Sequence, residues 1–451
     1  MSQKNNLMKN TYRKNLVNKD TKMENIKNNS EKYISYGWFI WGAAALFYFY
    51  QFILRVSLGV MTHDVMKSYN VTSTELGVLS SYYYFSYAAL QIPCGIIVDK
   101  IGPRKVITLS CILCIFGSLM FANGQDIWFA KIGRLLIGAG ASCAFLSSLK
   151  VASDWLSPSK FVLATGLTSM VGVIGGTFGQ RPFAFLVNEV GWRSSMNIAA
   201  VAGIFVALIV WLIVRDKKQE EEEQNITKIK YVPQSTLNAL KFIATNPQCW
   251  LIGLFGCIMY LPTSVFAELW GTPYMMKMYN VDNEVASTAN IMIFIGIGIG
   301  CPAAAWISNK IKSRKKVMLS AGILSFSSFL FLVGGPSIPI QVSFIILFVV
   351  GLCNGGQVLC FTCVKELNPK RISGTTIGFT NTIVTLSGVV FQPLIGLMLD
   401  LTWDGSYTSE GLRYYSGEDY GTAMWSFPAA LLINCVVLMF IKETYKSDKN
   451  L

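Results

Sequence analysis

Twelve apolar runs constrain this chain more than any other feature of its sequence. Each run approaches or exceeds the roughly 20 residues that a helix needs to cross the hydrocarbon core of a bilayer. The runs lie at about 38–60, 76–98, 105–123, 127–150, 161–187, 194–214, 249–270, 287–308, 316–334, 339–363, 373–400 and 421–441. Charged residues are only 14% of the 451 residues, against roughly 25% in soluble proteins. The sequence therefore predicts an all-α membrane protein with twelve transmembrane helices. It excludes a soluble enzyme, a disordered chain and a secreted disulfide-linked domain.

Polar segments divide the runs into two groups of six. We expect a disordered tail at 1–35, a six-helix bundle at 36–214, a linker at 215–247, a second six-helix bundle at 248–441 and a short tail at 442–451. Lys and Arg in short loops concentrate on the cytoplasmic side of a membrane. The side of the N-terminal tail carries Lys100, Arg104, Lys105, Lys160, Lys310, Lys312, Arg314, Lys315, Lys316, Lys370 and Arg371, and the other side carries Lys67, Arg193, Lys277 and Arg413. Both termini and the linker are therefore predicted to be cytoplasmic.

The two groups of runs repeat each other. At offsets of 210 or 211 residues, the matched positions are Tyr69-Asn70-Val71 with Tyr279-Asn280-Val281, Lys100 with Lys310, Arg104 with Arg314, Gly140 with Gly351, Pro158 with Pro369, Pro182 with Pro393 and Trp192 with Trp403. A near-constant offset across six runs indicates duplication of a six-helix unit. Two such units with the same orientation favour rocking about a central site, which is alternating access.

The loop between the second and third runs carries a sequence motif whose residues each have an identifiable physical role. It reads Gly95-Ile-Ile-Val-Asp99-Lys100-Ile-Gly102-Pro103-Arg104-Lys105. We expect Gly95 to permit close helix approach and Gly102 to form a tight turn. Asp99 is expected to pair with Arg104 or with a helix N-terminus and so to latch the cytoplasmic side. The second copy, from Asn309 to Lys315, lacks the acid and the turn glycine, so only the first copy is predicted to form the full latch.

This motif resembles the inter-helix motif of the major facilitator superfamily almost residue for residue. Arg134-Leu-Leu-Ile-Gly138-Ala-Gly140 is similar to the second motif of the same family. A narrower resemblance, to the branch of lysosomal dipeptide transporters and phagosomal amino-acid transporters of intracellular bacteria, runs through Phe52-Ile-Leu-Arg55, Ser81-Tyr82-Tyr83-Tyr84, Pro262 to Gly271 and Phe391 to Gly396. The resemblance implies a secondary transporter of an amino acid or a short peptide.

Ionisable residues within apolar runs are functional candidates because they are costly in lipid. Arg55, Arg134 and Glu268 form the predicted substrate site, with Arg181 as a weaker third cation. Guanidinium groups suit a cargo carboxylate, while Glu268 suits a cargo ammonium and is also a candidate proton carrier. The repeat places residue 265 opposite Arg55, so Glu268 and Arg55 could converge. A structural ion pair is the alternative interpretation of these residues.

Uncharged polar and aromatic residues complete the predicted substrate site. They are Gln51, Tyr83, Tyr84, Gln357, Asn381 and Gln392. Gln51 lies one helical turn before Arg55, on the same face. The other polar groups either bond the cargo or cross-link helices.

Several classes of function are excluded or disfavoured. The ATP-binding pattern G-x-x-x-x-G-K-[ST] is absent, so transport must use gradients and needs no cofactor. His63 is the only histidine, and the eleven cysteines fall almost entirely in apolar runs, where we expect them to pack helices rather than bind metal. The net charge of +13 is not arranged as a nucleic-acid surface. We expect a lipid-embedded monomer in a bacterial inner membrane. The remaining alternatives are an organic-anion carrier and a transport-inactive membrane receptor or sensor.

Overall fold

The computed structural model describes residues 36–216, 236–335, 338–369 and 372–445. The predicted tail at 1–35, residues 446–451 of the predicted tail at 442–451, residues 217–235 of the linker, and Lys370 and Arg371 lie outside the described residues. Within the described ranges the protein is helical, apart from one isolated antiparallel bridge between Tyr407 and Arg413. The prediction of an all-α chain is confirmed.

Twelve helical segments cover the twelve apolar runs, most to within about five residues, and the seventh segment extends nine residues beyond its run. They are α1 (Tyr36–Val60), α2 (Ser73–Ile101), α3 (Pro103–Asn123), α4 (Ile127–Trp155), α5 (Pro158–Phe178, continued as Arg181–Val190), α6 (Trp192–Ile213), α7 (Pro247–Tyr279), α8 (Asn283–Ile311), α9 (Arg314–Gly334), α10 (Ile340–Leu367), α11 (Ser373–Thr402) and α12 (Gly417–Phe440). Two short helices, Thr62–Tyr69 and Thr236–Ala244, lie outside the runs. Ten of the twelve segments are long and apolar enough to cross a membrane; α2 and α5 are not among the ten.

The duplicated sequence forms duplicated helix ends. Asn70 and Asn280, the central residues of the repeated Tyr-Asn-Val triplet, each end a helix in the left-handed conformation, with φ of 50° in both. Asparagine tolerates this conformation better than most residues because its short side chain can hydrogen-bond locally. Thr72 then begins α2 with a capping box that includes Glu75, and Asp282 caps α8 at the corresponding place. The repeat is therefore visible in the backbone as well as in the sequence.

Besides the break in α5 between Phe178 and Arg181, several segments depart from regular α-helix. A 3₁₀ turn at Ser57–Val60 ends α1, a π-helix at Pro262–Trp270 interrupts α7, and a 3₁₀ turn at Gly355–Val358 interrupts α10. Helix α4 is interrupted between Ala141 and Ala144. Irregular turns of this kind free backbone carbonyls and often mark functional sites.

Helices α1 and α7 occupy the centre of the molecule. Their most apolar stretches are 72% and 78% buried, whereas those of α6 and α9 are only 33% buried. The exposed surface of α6 is formed by large apolar side chains, including Phe205 and Leu212. Such a surface suits contact with lipid.

The two halves, 36–216 and 236–445, are joined by polar contacts on one side of the molecule. We call the side with the loops at 100–104 and 309–313 the linker side, and the side with the loops at 61–72 and 403–416 the far side. Among the described residues, every hydrogen bond and ion pair between the halves lies at the centre or toward the far side. Gly77 packs so closely on α11 that a Cβ there would lie 2.5 Å from the Gln392 carbonyl oxygen. The structure is therefore closed on the far side.

Cys94 and Cys143 form a disulfide between α2 and α4, with their Cα atoms 5.4 Å apart. The expectation that the cysteines only pack helices is wrong for this pair. The remaining cysteines are free, including the two C-x-x-C pairs, Cys111 with Cys114 and Cys360 with Cys363. No group of three or more potential metal-binding residues occurs in the described part of the chain.

Candidate functional site

A buried ion pair joins the two halves at the centre of the molecule. Arg55 of α1 donates from Nε to Glu268 of α7 over 3.0 Å, and both side chains are at most 4% exposed. The residues adjoin the irregular turns of their helices, with Glu268 inside the π-helix. A Cβ on Gly59 would lie 2.7 Å from the Glu268 carbonyl oxygen, so the two backbones touch beside the pair. Arg55 and Glu268 converge as the repeat register predicts.

Tyrosines surround the Arg55 guanidinium. Its Nη2 donates to the hydroxyl oxygens of Tyr84 at 2.7 Å and Tyr260 at 2.5 Å, while the Tyr84 hydroxyl donates to Glu268. The rings of Phe52, Tyr83, Tyr84, Tyr87 and Tyr260 all have centroids within 5.8 Å of the guanidinium carbon. Cation–π contact of this kind stabilises a desolvated cation. The cluster thus contains both Tyr83 and Tyr84, as the sequence predicts.

Two tyrosines of this cluster escaped the sequence prediction. Tyr87 lies one turn beyond Tyr83 and Tyr84 on α2, and its ring stacks on that of Tyr83 at 5.9 Å. Tyr260 lies eight residues before Glu268, about two turns of α7. Each residue is separated from a predicted site residue by a whole number of helical turns, and this spacing could have identified both of them from the sequence.

Arg134 of α4 is buried, and no acidic side chain pairs with it among the described residues. Its Nη1 donates to the carbonyl oxygen of Leu54 at 3.1 Å, and its guanidinium lies 5.1 Å from the centre of the Tyr83 ring. Within the same part of the chain its Nε has no hydrogen-bond partner, although the side chain is only 2% exposed. The Tyr83 hydroxyl in turn donates to Gln51 at 3.0 Å, so Gln51, Tyr83 and Arg134 form a chain of contacts beside Arg55.

Only one oxygen of the Glu268 carboxylate is hydrogen-bonded in the described part of the chain. Its Oε2 accepts from Arg55 and Tyr84, while its Oε1 is buried and has no partner there. Arg55, Arg134 and Glu268 together carry two positive charges and one negative charge. The cluster therefore has one cation, Arg134, without a compensating negative charge among the described residues. It also has one free donor, the Nε of Arg134, and one free acceptor, the Oε1 of Glu268.

Three predicted site residues lie apart from the ion pair. Gln392 donates from Nε2 to the Ser264 carbonyl oxygen of the π-helix at 2.6 Å, and its Oε1 is buried without a partner. Gln357 lies in the 3₁₀ turn of α10 and Asn381 on α11, both half-buried. Among the described residues, no side-chain hydrogen bond ties Gln357 or Asn381 to the Arg55 cluster. Of these three, the structure therefore links only Gln392 to the functional part of α7.

Arg181, the third candidate cation, is not inside the bundle. Its side chain is 58% exposed and lies 3.9 Å from Glu284. The buried residue is its neighbour Gln180, which donates to the Ala267 carbonyl oxygen at 2.6 Å and accepts from Thr272 at 3.4 Å. The break in α5 between Phe178 and Arg181 turns the helix, and a depth estimate along a straight helix misses this turn.

The latch motif does not form the expected Asp99–Arg104 pair. Asp99 is 69% exposed and lies 3.6 Å from Lys150 of α4. Arg104 instead donates from Nε to the Trp211 carbonyl oxygen at 3.0 Å and stacks on the Trp211 ring. The backbone N–H of Arg104 donates to Asp216 at 2.9 Å. The end of α6, rather than Asp99, thus holds the start of α3.

The two glycines of the motif behave differently from each other. Gly102 has φ of +93°, and a Cβ on it would lie 2.7–2.8 Å from the Asp216 carboxylate, so the turn requires glycine. Gly95 has no neighbour within 4 Å of a built Cβ, so it serves no close helix contact in this conformation. Lys105 is exposed. The prediction for the turn is confirmed, and that for Gly95 is wrong in this state.

The second copy of the motif forms the denser network, contrary to expectation. Arg314 is 8% exposed and bonds Ser308, Asn309 and Glu366. Glu443, just beyond α12, accepts from the Ser313 hydroxyl and from the backbone N–H groups of Arg314 and Lys315. Acids from α10 and from beyond α12 replace the acid missing from the local sequence. Lys312 takes the left-handed conformation, with φ of 57°, in place of the turn glycine.

The family of the chain follows from comparison with known proteins. The profile of the Major Facilitator Superfamily matches residues 40–392. The crystal structure of a bacterial homolog to the human lysosomal transporter Spinster, in an inward-facing and occupied conformation, superposes with a TM-score of 0.74 at 16% identity, covering 90% of this chain and 97% of that one. The chain belongs to the Major Facilitator Superfamily, whose members are secondary transporters and not enzymes. It is an integral, multi-pass membrane protein.

Relatives of this chain have diverse names. The membrane sensor protein UhpC of Salmonella typhimurium is 24% identical over 391 residues, which are 82% of this chain and 86% of that protein. The gentisate transporter of Corynebacterium glutamicum is 23% identical over 394 residues, which are 86% of this chain and 84% of that protein. The family is shown by the profile match to residues 40–392, while the cargo has to be argued from the site.

Proposed function

We propose that the protein moves a small organic carboxylate across a membrane by alternating access. The observation that carries this proposal is Arg134, a buried cation with a free Nε donor and no acid beside it among the described residues. Leaving a buried charge unpaired is costly. A carboxylate bound at Arg134 would supply both the missing negative charge and the missing acceptor.

The positive net charge of the site favours an anion over a zwitterion as cargo. Glu268 is already neutralised by Arg55 at 3.0 Å, so the net charge of +1 resides on Arg134. A zwitterionic amino acid or peptide brings no net charge and leaves this cation uncompensated. The gentisate transporter among the relatives carries an aromatic carboxylate, which is consistent with the same preference.

An amino acid or short peptide is the second candidate cargo. The free Oε1 of Glu268 is a buried acceptor that could receive an ammonium group. The same oxygen makes Glu268 the candidate for proton coupling. A third candidate, a sensor without transport, has the support of the relative named as a membrane sensor.

The architecture completes the proposal. Twelve membrane crossings form two six-helix bundles, 36–214 and 248–441, and the bundles rock about the Arg55–Glu268 pair. The linker and both termini lie in the cytoplasm, and the membrane is a bacterial inner membrane. In the present conformation the far side is closed, so cargo reaches the site from the linker side. Opening of the far side has to break the contacts between the halves.

Ligand-induced stabilisation tests the proposed cargo class. A ligand that binds only the folded protein raises its stability by RT ln(1 + [L]/Kd). We expect organic acids to raise the unfolding temperature of the purified protein, and the corresponding carboxamides to have no effect. Arg134→Gln should abolish the response, whereas Lys67→Gln, on the exposed far-side surface, should retain it. Stabilisation by free amino acids but not by their N-acetylated forms would instead establish the second candidate.

A further inference from the structure

A carboxylate near the end of α11 binds the start of α2 in the other half. Asp400 accepts from the backbone N–H of Thr74 at 3.0 Å and from the Thr74 hydroxyl. Its other oxygen accepts from Arg413 at 3.2 Å and from the Tyr415 hydroxyl. The Tyr415 oxygen in turn accepts from the backbone N–H of Ser73 at 3.3 Å. We call Thr74, Asp400, Arg413 and Tyr415, with Ser73, the far-side clasp.

The clasp satisfies backbone groups that α2 cannot satisfy itself. The first N–H groups of any helix lack partners within that helix. In α2 the Glu75 N–H is bonded by Thr72 of the capping box at 3.3 Å, but those of Ser73 and Thr74 are bonded from the other half. A negative charge at this position also complements the helix dipole. The end of α2 is therefore more stable while the halves touch.

Close packing leaves little room for any other arrangement while the far side is shut. A Cβ on Gly396, one turn before Asp400, would overlap the carbonyl oxygen of Ser73. The Asp400 side chain is 12% exposed, so water has limited access to the pairing with Arg413. The clasp thus combines a shielded charge with the closest contact between α2 and α11.

The segment that carries Arg413 and Tyr415 is itself ordered by its own contacts. Residues 403–416 fold back through the Tyr407–Arg413 bridge, and Thr408 donates to the Leu412 carbonyl oxygen at 2.8 Å. At the turn, Glu410 accepts from Lys67 of the other half at 2.6 Å, but both side chains are exposed. An exposed ion pair contributes little to stability. The contacts of Asp400, rather than the Lys67–Glu410 pair, therefore contribute most to holding the halves together here.

The repeat provides an internal comparison. At the offset of 211 that relates α5 to α11, Asp400 corresponds to Glu189, and at the offset of 210 Thr74 corresponds to Glu284. Glu189 is exposed, and among the described residues the ion pair between α5 and α8 on the far side is the partly exposed Arg181–Glu284 approach at 3.9 Å. Within the described residues the clasp therefore forms on one side of the pseudo-symmetric molecule only.

We propose that Asp400 is the latch that holds the far side of the transporter closed, by binding the N-terminus of α2 until the halves rock apart. This proposal does not depend on which solute is carried. The far-side latch is formed by α11 and the segment that follows it, and it is distinct from the loop motif on the linker side.

Distances between spin labels on the far side test the latch without any cargo. In a background without native cysteines, labels at Gln125 and Glu418 report the separation of the two halves, because both residues are exposed on that side. Asp400→Asn keeps the shape and removes the charge. We expect it to raise the ratio of far-side-open to far-side-closed molecules about tenfold, equivalent to about 1.4 kcal/mol.

Two further variants make the outcome decisive. Tyr415→Phe removes only the hydroxyl shared by Asp400 and Ser73, and should shift the distances in the same direction. Lys67→Ala, the control, removes the exposed ion pair and should change the ratio less than twofold. Wild-type distance distributions in both Asp400→Asn and Tyr415→Phe, or an equal shift in Lys67→Ala, would overturn the proposal. If Asp400→Asn does not fold, the result for Tyr415→Phe decides alone.

Discussion

Removing one partner of the Arg55–Glu268 pair should destabilise the protein far more than removing both. At 3.0 Å and an effective dielectric constant of about 20, the Coulomb attraction is roughly 5–6 kcal/mol before desolvation is subtracted. Breaking a buried pair by deleting one charge costs about 3–5 kcal/mol, because the other charge stays buried and unpaired. Glu268→Gln should reach that range because an arginine cannot release its charge.

Thermal unfolding of the purified variants measures this difference. At roughly 1–2 °C per kcal/mol for a chain of this size, Glu268→Gln should unfold about 3–10 °C below the wild type. The double variant Arg55→Gln/Glu268→Gln should recover at least half of that loss. Lys67→Gln/Glu410→Gln is the matched control, because its ion pair also joins the halves, at 2.6 Å, but is exposed. A double variant as unstable as the sum of the two single variants would refute the account of Arg55 and Glu268 as one electrostatic unit.

Three further predictions concern other parts of the molecule. Arg134→Lys should weaken carboxylate binding at least tenfold, because an ammonium cannot both hold the Leu54 carbonyl and present a second fixed donor; unchanged affinity in a ligand titration would contradict this. Glu443→Gln should lower the unfolding temperature at pH 7, and by less as the pH falls below about 4.3: burial raises the pKa of Glu443, yet hydrogen bonds from Ser313 and from the backbone N–H groups of Tyr445, Arg314 and Lys315 lower it more. Stabilisation from such a group is complete above its unfolded pKa and is lost as the pH falls through the lower, folded value, so a loss that does not shrink on acidification would argue against the charge. Gln224→Cys should resist an impermeant thiol reagent in intact cells, while Gln125→Cys should react with it. Equal labelling of the two variants would contradict the proposed topology.

The sequence was most informative where the signal is periodic or repeated. Apolar runs locate every long helix because helix length in a membrane is set by bilayer thickness. The repeat register placed Glu268 near Arg55, although the two residues are 213 positions apart. The repeated Tyr-Asn-Val triplet also marks equivalent left-handed helix ends at Asn70 and Asn280.

The failures at the two copies of the loop motif involve partners that lie far away along the chain. Asp99 and Arg104 are close in sequence, but the start of α3 is held by Trp211 and Asp216 from the end of α6. The missing acid of the second motif copy comes from Glu366 and Glu443. Arg181 was misplaced because the break in α5 turns the helix at Gln180. Pairing across the bundle depends on helix rotation and breaks, which apolar periodicity does not encode.

Uptake into proteoliposomes tests the central claim most directly. Purified wild-type protein and the Arg134→Gln variant are reconstituted, and labelled gentisate, gluconate, alanine and glycylalanine are offered in parallel with protein-free liposomes as the background. We expect at least one of the two carboxylates to enter wild-type liposomes above the background, and neither to enter through Arg134→Gln. Uptake of alanine or glycylalanine alone would contradict the assignment of an organic-anion carrier, and uptake of none of the four by protein that still binds a carboxylate would favour a sensor instead.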